Sequence, residues 1–122
     1  SGVKRATGAL IALLLVLTAC GGGQLSWDPA AVEAELTTEP AAKAGVEVTL
    51  IAQFSGIPDK EGADMRFDVP YDGKSHMTKG EDVGGGKFTL LFTFPQSGTY
   101  DVYMHYYQDG EHITKLKKLE VQ

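Results

Sequence analysis

Cysteine and basic charge are both scarce in this sequence of 122 residues. A single cysteine excludes an intramolecular disulfide framework as the source of stability. Eleven Lys and Arg stand against 16 Asp and Glu, so the chain lacks the basic surface that neutralises nucleic-acid phosphates, and we expect no nucleic-acid partner. The remaining composition, 43% hydrophobic with a net charge of -5, is typical of one globular domain stabilised by an apolar core.

The apolar run near the N-terminus is too short to cross a membrane. It extends from Ala9 to Leu17, whereas a transmembrane helix needs about 20 apolar residues. A basic start, here Lys4 and Arg5, followed by such a run is typical of a secretory signal. The segment ends on Leu17-Thr18-Ala19-Cys20, which resembles a bacterial lipobox. We therefore predict a lipoprotein signal peptide over residues 1–19 and lipidation of Cys20; a buried N-terminal helix is the alternative.

Lipidation of Cys20 would explain the one thiol of an exported protein. Residues 20–24 then form a short Gly-rich tether. Cleavage removes Lys4 and Arg5 but no acidic residue, which leaves the mature protein with a net charge of -7. We expect a protein held by lipid on the cell membrane or outer membrane, facing the extracytoplasmic side. The absence of Asp after Cys20 resembles outer-membrane sorting in a two-membrane cell.

Residues 25–122 alternate apolar and polar side chains between turn formers, a pattern of half-buried strands. We predict an all-β domain, an immunoglobulin-like antiparallel β-sandwich of about seven strands, with a small closed barrel as the alternative. Tyr100 follows the Pro95–Gly98 turn, where such sandwiches place a tyrosine that pins a corner. The clearest apolar series are Val46, Val48, Leu50, Ala52 and Phe54; Phe88, Leu90, Phe92 and Phe94; and Tyr100, Val102, Met104 and Tyr106.

Two segments of this domain carry weaker patterns. Residues 75–79 predict only a short strand before the exposed turn at Gly84-Gly85-Gly86. The last strand, from Glu111 to about Val121, breaks strict alternation at Lys115–Leu119. That break predicts a bulge or an exposed edge.

Several short motifs follow one another in a familiar order. They are Val46-Glu47-Val48-Thr49-Leu50, Ser75-His76-Met77, Gly86-Lys87-Phe88 and Gly98-Thr99-Tyr100-Asp101-Val102, with a histidine near each end of the final hairpin. Over about residues 27–122 the sequence resembles the YtkA-like domain of bacterial lipoproteins. Related FixH-like proteins are associated with the assembly of haem-copper oxidases. The resemblance therefore implies copper handling outside the cytoplasmic membrane.

Asp109-Gly110 predicts a two-residue hairpin turn, because both central positions of the favoured turn need positive φ. In this register Tyr107 faces His112, and His105 and His112 become diagonal neighbours on one face. The register also turns Ile113 inward opposite Tyr106, whereas a three-residue loop would turn Ile113 outward. Two imidazoles at diagonal positions can share a metal ion.

Copper is the metal that this set of side chains suits, since imidazole and thioether both bind it. Met77 is the candidate thioether, and His76 is a candidate third imidazole. Met65 and Met104 fall on inward positions and are predicted to fill the core. The alternative is that the three histidines are ordinary surface residues.

Tyr103 and Tyr107 share the outward face with His105, and exposed tyrosines in a row are typical of a binding surface. They could equally cover the sheet against a neighbouring loop. No nucleophile elbow, phosphate loop or calcium loop is present, so we expect no enzymatic activity. The sequence predicts a non-enzymatic binding or accessory module with a protein partner; a copper-binding or copper-delivery protein is the alternative.

Overall fold

The computed structural model describes residues 26–122. The predicted signal peptide, Cys20 and tether lie outside the described residues. The described chain begins with a short 3-10 turn, Pro29–Ala31, capped by the Asp28 side chain, and continues as strands. The strands are β1 Glu33–Glu39, β2 Glu47–Ser55, β3 Asp64–Asp68, β4 Met77–Lys79, β5 Glu81–Gly84, β6 Lys87–Thr93, β7 Gly98–Gln108 and β8 Glu111–Val121.

The strands form two antiparallel four-stranded sheets, one in the order β1-β2-β6-β5 and the other in the order β4-β3-β7-β8. The inward side chains of both sheets belong to one hydrophobic core. Its largest fully buried members include Tyr106, Phe67, Phe88 and Phe94. The predicted all-β architecture is confirmed at this level, and the arrangement is consistent with a β-sandwich.

The alternation in the sequence translates directly into the two faces of each strand. In β2 every second residue from Val48 to Phe54 is buried, and in β7 every second residue from Tyr100 to Gln108 is buried. Met65 and Met104 are fully buried, as predicted. Since side chains in a strand point alternately to opposite faces, one sequence period accounts for the core and for the exposed face.

Eight strands are present where about seven were predicted. The weak segment at residues 75–79 is shorter, and a further strand follows it, so the chain passes from β4 in one sheet to β5 in the other. Gly80 makes this crossing: its backbone N–H donates to the Met65 carbonyl at 2.8 Å. A Cβ atom at Gly80 would lie 2.9 Å from the Met65 sulfur, so a side chain there would collide with the core.

The last hairpin is the longest paired unit of the described chain. β7 and β8 pair without interruption from Gly98↔Val121 to Gln108↔Glu111. The two-residue turn at Asp109-Gly110 is therefore confirmed, with φ of 54° and 78° at its two residues. For β8 the sequence predicted either a bulge or an exposed edge. β8 is an edge strand of its sheet, and its pairing with β7 has no bulge.

The strands run between two ends of the domain. One end holds the start of β1, the β2–β3 connection, the β5–β6 turn and the Asp109-Gly110 turn; we call it the Asp109 end. The opposite end holds residues 40–46, the β6–β7 turn and the end of β8, where Ala44 N donates to Gln122 O and Gly45 N to Phe94 O. No helix within residues 26–122 is long and apolar enough to span a bilayer.

Candidate functional site

His105 and His112 are in direct contact on the outward face of the β7–β8 hairpin. Nδ1 of His105 lies 3.0 Å from Nε2 of His112, and the Thr114 hydroxyl lies 3.3 Å from each of these nitrogens. The register explains the contact, since His105 pairs with Thr114 and Tyr107 with His112. Three polar atoms thus form a nearly equilateral triangle. We call this group the histidine pair with Thr114.

A row of flat rings surrounds the pair. The His105 ring stands between Tyr103 and Tyr107, with centroid distances of 6.5 and 6.4 Å and nearly parallel planes. Tyr107 stacks on His112 across the hairpin at 4.3 Å. Residues two apart on a strand point to the same face, so Tyr103, His105 and Tyr107 form one aromatic stripe. This face is half-buried at the tyrosines and open at His112.

The environment favours the uncharged form of His105. Burial lowers the pKa of His105 below its usual value, and the nearby His112 lowers it further, while Asp68 on β3 acts in the opposite direction. Neutral imidazole keeps a lone pair for a metal or a hydrogen-bond donor. The ring of His105 is therefore prepared for neutral hydrogen bonding or for metal coordination near pH 7.

The spacing of the two nitrogens fits a shared metal ion. Two nitrogens that bind one ion at about 2.0–2.1 Å, at tetrahedral or right angles, lie about 2.8–3.4 Å from each other. The His105–His112 distance of 3.0 Å is within that range. Without a metal, the same distance suits a hydrogen bond from one neutral ring to the other.

The other two predicted ligands do not join the pair. His76 lies in the β3–β4 connection, where its ring stacks on Tyr71 with a centroid distance of 3.7 Å and its Nδ1 is 3.1 Å from the Val69 carbonyl. Met77 is exposed and pairs with Asp68 of β3, which in turn pairs with Tyr103 of β7. Met77 is therefore two strands away from β7 and offset by two residues from His105. Strand spacing makes that separation about 12 Å between Cα atoms. Within residues 26–122, no three His, Cys, Asp or Glu side chains are grouped for a metal ion.

Charged residues of β3 flank the stripe. Arg66 pairs with His105 across the sheet and donates to Asp64 at 3.1 Å. Asp68 pairs with Tyr103. On the other side, exposed Leu116 pairs with Tyr103, and Lys118 donates to Asp101 at 2.7 Å. The face thus combines aromatic rings, one exposed leucine and charges of both signs.

A second feature, which the sequence reasoning missed, is a cleft of about 540 Å³ at the Asp109 end. Residues 56–61 and the Gly84–Gly86 turn form its rim, and Phe54, Phe88 and Tyr106 form its apolar floor. Burial raises the pKa of Tyr106, and Asp109 and Asp82 raise it further. The run of turn formers from Ser55 to Asp59 was the available signal, but only the packing of the loops creates a concave surface.

No protein-family model matches the chain, and a search of curated proteins finds no match to its sequence. The resemblance to YtkA-like domains therefore stays a prediction.

Proposed function

We propose that this protein is a lipid-anchored extracytoplasmic binding module of the bacterial envelope, without enzymatic activity, whose stripe of Tyr103, His105, Tyr107 and His112 contacts a protein partner. The observation that carries the proposal is this stripe of nearly parallel rings on a fully paired hairpin, half-buried at the tyrosines and exposed at His112. Rigid aromatic side chains provide large contact areas at a small entropic cost, and tyrosine is enriched where interfaces concentrate their binding energy.

An immunoglobulin-like fold is part of the proposal. The orders β1-β2-β6-β5 and β3-β7-β8 correspond to the ABED and CFG sheets of that fold, with β4 as an added edge strand. Tyr100 supports the same assignment. Its hydroxyl donates to the Gln96 carbonyl at 2.7 Å and accepts from the Gln96 N–H at 3.2 Å, in the manner of a tyrosine corner.

The lipid anchor rests on the lipobox at residues 17–20. Its test is the Cys20→Ser variant, expressed beside the parent protein in a bacterial host. We expect the parent to remain with membranes at the mass of the processed lipoprotein, and the variant to lose the lipid. Equal mass and equal membrane retention of the two proteins would contradict the anchor.

Crosslinking in native membranes tests the binding surface. The Tyr103→Ala/Tyr107→Ala double variant removes two rings of the stripe, whereas Leu91→Ala removes a side chain that is 63% exposed on the other sheet. We expect a partner crosslinked to the parent protein to be retained by Leu91→Ala and lost by the double variant. A partner retained by the double variant would contradict the proposal.

Copper binding is the second candidate function, favoured by the contact between His105 and His112. The two ring nitrogens and the Thr114 hydroxyl would hold the ion, and imidazole accepts copper in either oxidation state. His76 and Met77 are predicted ligands from the sequence, but His76 lies in the β3–β4 connection and Met77 on β4, both away from the histidine pair. A role in oxidase assembly follows only from the resemblance to FixH-like proteins.

Copper titration of the domain over residues 25–122 tests this candidate. The His105→Ala/His112→Ala variant is compared with His76→Ala at one pH. We expect the double variant to lose at least tenfold in affinity and His76→Ala to bind as the parent does. Binding should also weaken as the pH falls below about 6.5, because protons then compete for the same nitrogens. Equal affinity of the parent and the double variant would exclude the pair as the site.

A further inference from the structure

Trp27, near the start of the described chain, is held against the domain by two contacts. Trp27 Nε1 donates to Asp109 Oδ2 at 2.9 Å, and the Trp27 ring meets Tyr106 edge-on at a centroid distance of 6.1 Å. Lys60 donates to the other oxygen of Asp109 at 2.7 Å. Asp109 therefore joins the N-terminal segment, the β2–β3 connection and the β7–β8 turn. This contact fixes the entry point of the chain at the Asp109 end.

Seven residue steps separate Cys20 from Trp27 in the sequence. Fully extended, seven steps span at most about 25 Å. The eleven residues of β7 make the domain about 33 Å long between its two ends. If the opposite end touched the bilayer with the strands upright, Trp27 would lie beyond the reach of a lipid on Cys20.

We infer that the Asp109 end of the domain faces the lipid surface and that the opposite end, with residues 40–46, points away from it. The inference rests on the proposed lipidation of Cys20. It places the cleft of the Asp109 end toward the headgroups. It also places the histidine pair only three to four residues from that end, about 10–13 Å along the strands.

Charge indicates that the tether, and not an affinity of the domain for lipid, maintains this orientation. The rim of the cleft carries Asp59, Glu61 and Asp82, and its one lysine, Lys60, is paired with Asp109. The mature protein as a whole is acidic. Carboxylates at this end are compatible with a zwitterionic surface and are repelled by an anionic one.

The protein contains one tryptophan, which lies at the end in question and makes the orientation measurable. The lipidated protein is purified and reconstituted into phosphatidylcholine vesicles that contain a dansyl-labelled headgroup lipid. Energy transfer from Trp27 to the dansyl group is measured, and flotation of the vesicles records membrane attachment separately. The matched probes for the opposite end are Lys43→Trp and Ser97→Trp in the protein that keeps Trp27, since Lys43 and Ser97 are exposed there. Transfer from the added tryptophan is the increase in dansyl emission over that of the parent protein.

We expect transfer from Trp27 to exceed transfer from either opposite-end tryptophan at least threefold, with all three proteins floating. Replacing a third of the phosphatidylcholine by phosphatidylglycerol should lower transfer from Trp27. Equal transfer from the two ends, or stronger transfer from the Lys43 and Ser97 positions, would overturn the orientation while leaving the anchor intact. A parent protein that does not float would overturn the anchor and the orientation with it.

Discussion

Nδ1 of His105 and Nε2 of His112 lie 3.0 Å apart, although the two residues are on different strands and seven positions apart in the sequence. Burial lowers the pKa of His105, and at this distance the neighbouring His112 opposes a positive charge on the His105 ring and lowers that pKa further. The pair therefore links proton binding to the stability of the hairpin.

The first prediction concerns pH. Because the pKa of His105 is lower in the folded protein than its usual value of about 6.5, the unfolded chain binds more protons as the solution is acidified. The stability that neutral His105 contributes is present above pH 6.5 and is lost as the pH falls from there through the lower folded pKa. Urea unfolding at pH 7.5 and pH 5.5 should show a lower midpoint at pH 5.5.

Two variants apportion this effect between its causes. His105→Gln should remove all of the pH dependence of stability that comes from His105. His112→Gln should remove only part of that pH dependence, since burial still lowers the pKa of His105. Unchanged pH dependence in both variants would show that the pair is not the linked group.

The second prediction concerns the core. Met104 is fully buried in β7, and Met104→Ala should lower the free energy of unfolding by about 2–5 kcal/mol, through lost apolar contact and the cavity that remains. Leu91→Ala, at a position that is 63% exposed, should change it by less than about 0.5 kcal/mol. Denaturant unfolding measures both variants. Similar losses in the two would contradict the inward placement of Met104.

The third prediction concerns the corner at Tyr100. Tyr100→Phe keeps the ring but removes both hydrogen bonds to the Gln96 backbone, and it should cost about 1–2 kcal/mol of stability. Tyr103→Phe is the control on the same strand, because its ring lies on the outward face. We expect a cost below about 0.5 kcal/mol there. If both substitutions cost the same in denaturant unfolding, the Tyr100 hydroxyl does not stabilise the turn.

The fold and the histidine contact were predictable where local sequence determines geometry. Asp109-Gly110 requires a tight turn, and the apolar Ile113 then allows one register only, which also sets His105 beside His112. The irregular positions Lys115 and Lys117 point inward in β8 without a bulge. Inward charges are tolerated there because β8 is an edge strand and long lysine stems can reach water.

What the sequence did not reveal depends on contacts that are distant in the chain. β5 contains no buried side chain, so no hydropathy pattern marks it, and the crossing at Gly80 follows from its contact with Met65. The position of His76 depends on Tyr71 and Val69. Trp27 and Asp109 are 82 positions apart, and no local pattern could have joined them.

The last prediction concerns the glycine turn between β5 and β6, at the rim of the cleft. Gly85 and Gly86 both have positive φ, of 65° and 80°, so an alanine is strained at either position by about 1–2 kcal/mol. A Cβ atom at Gly86 would in addition lie 2.6 Å from the Phe54 carbonyl oxygen, whereas a Cβ atom at Gly85 would meet open space.

Gly85→Ala therefore serves as a matched control, because it introduces backbone strain without the collision expected at Gly86. Gly86→Ala should be less stable than Gly85→Ala by about a further 1–3 kcal/mol, because the turn must move away from β2 and weaken the bond from Phe54 N to Gly86 O. Urea unfolding of the two variants gives this difference directly. Equal stabilities would mean that β2 and the turn do not approach as closely as the 2.8 Å hydrogen bond between them requires.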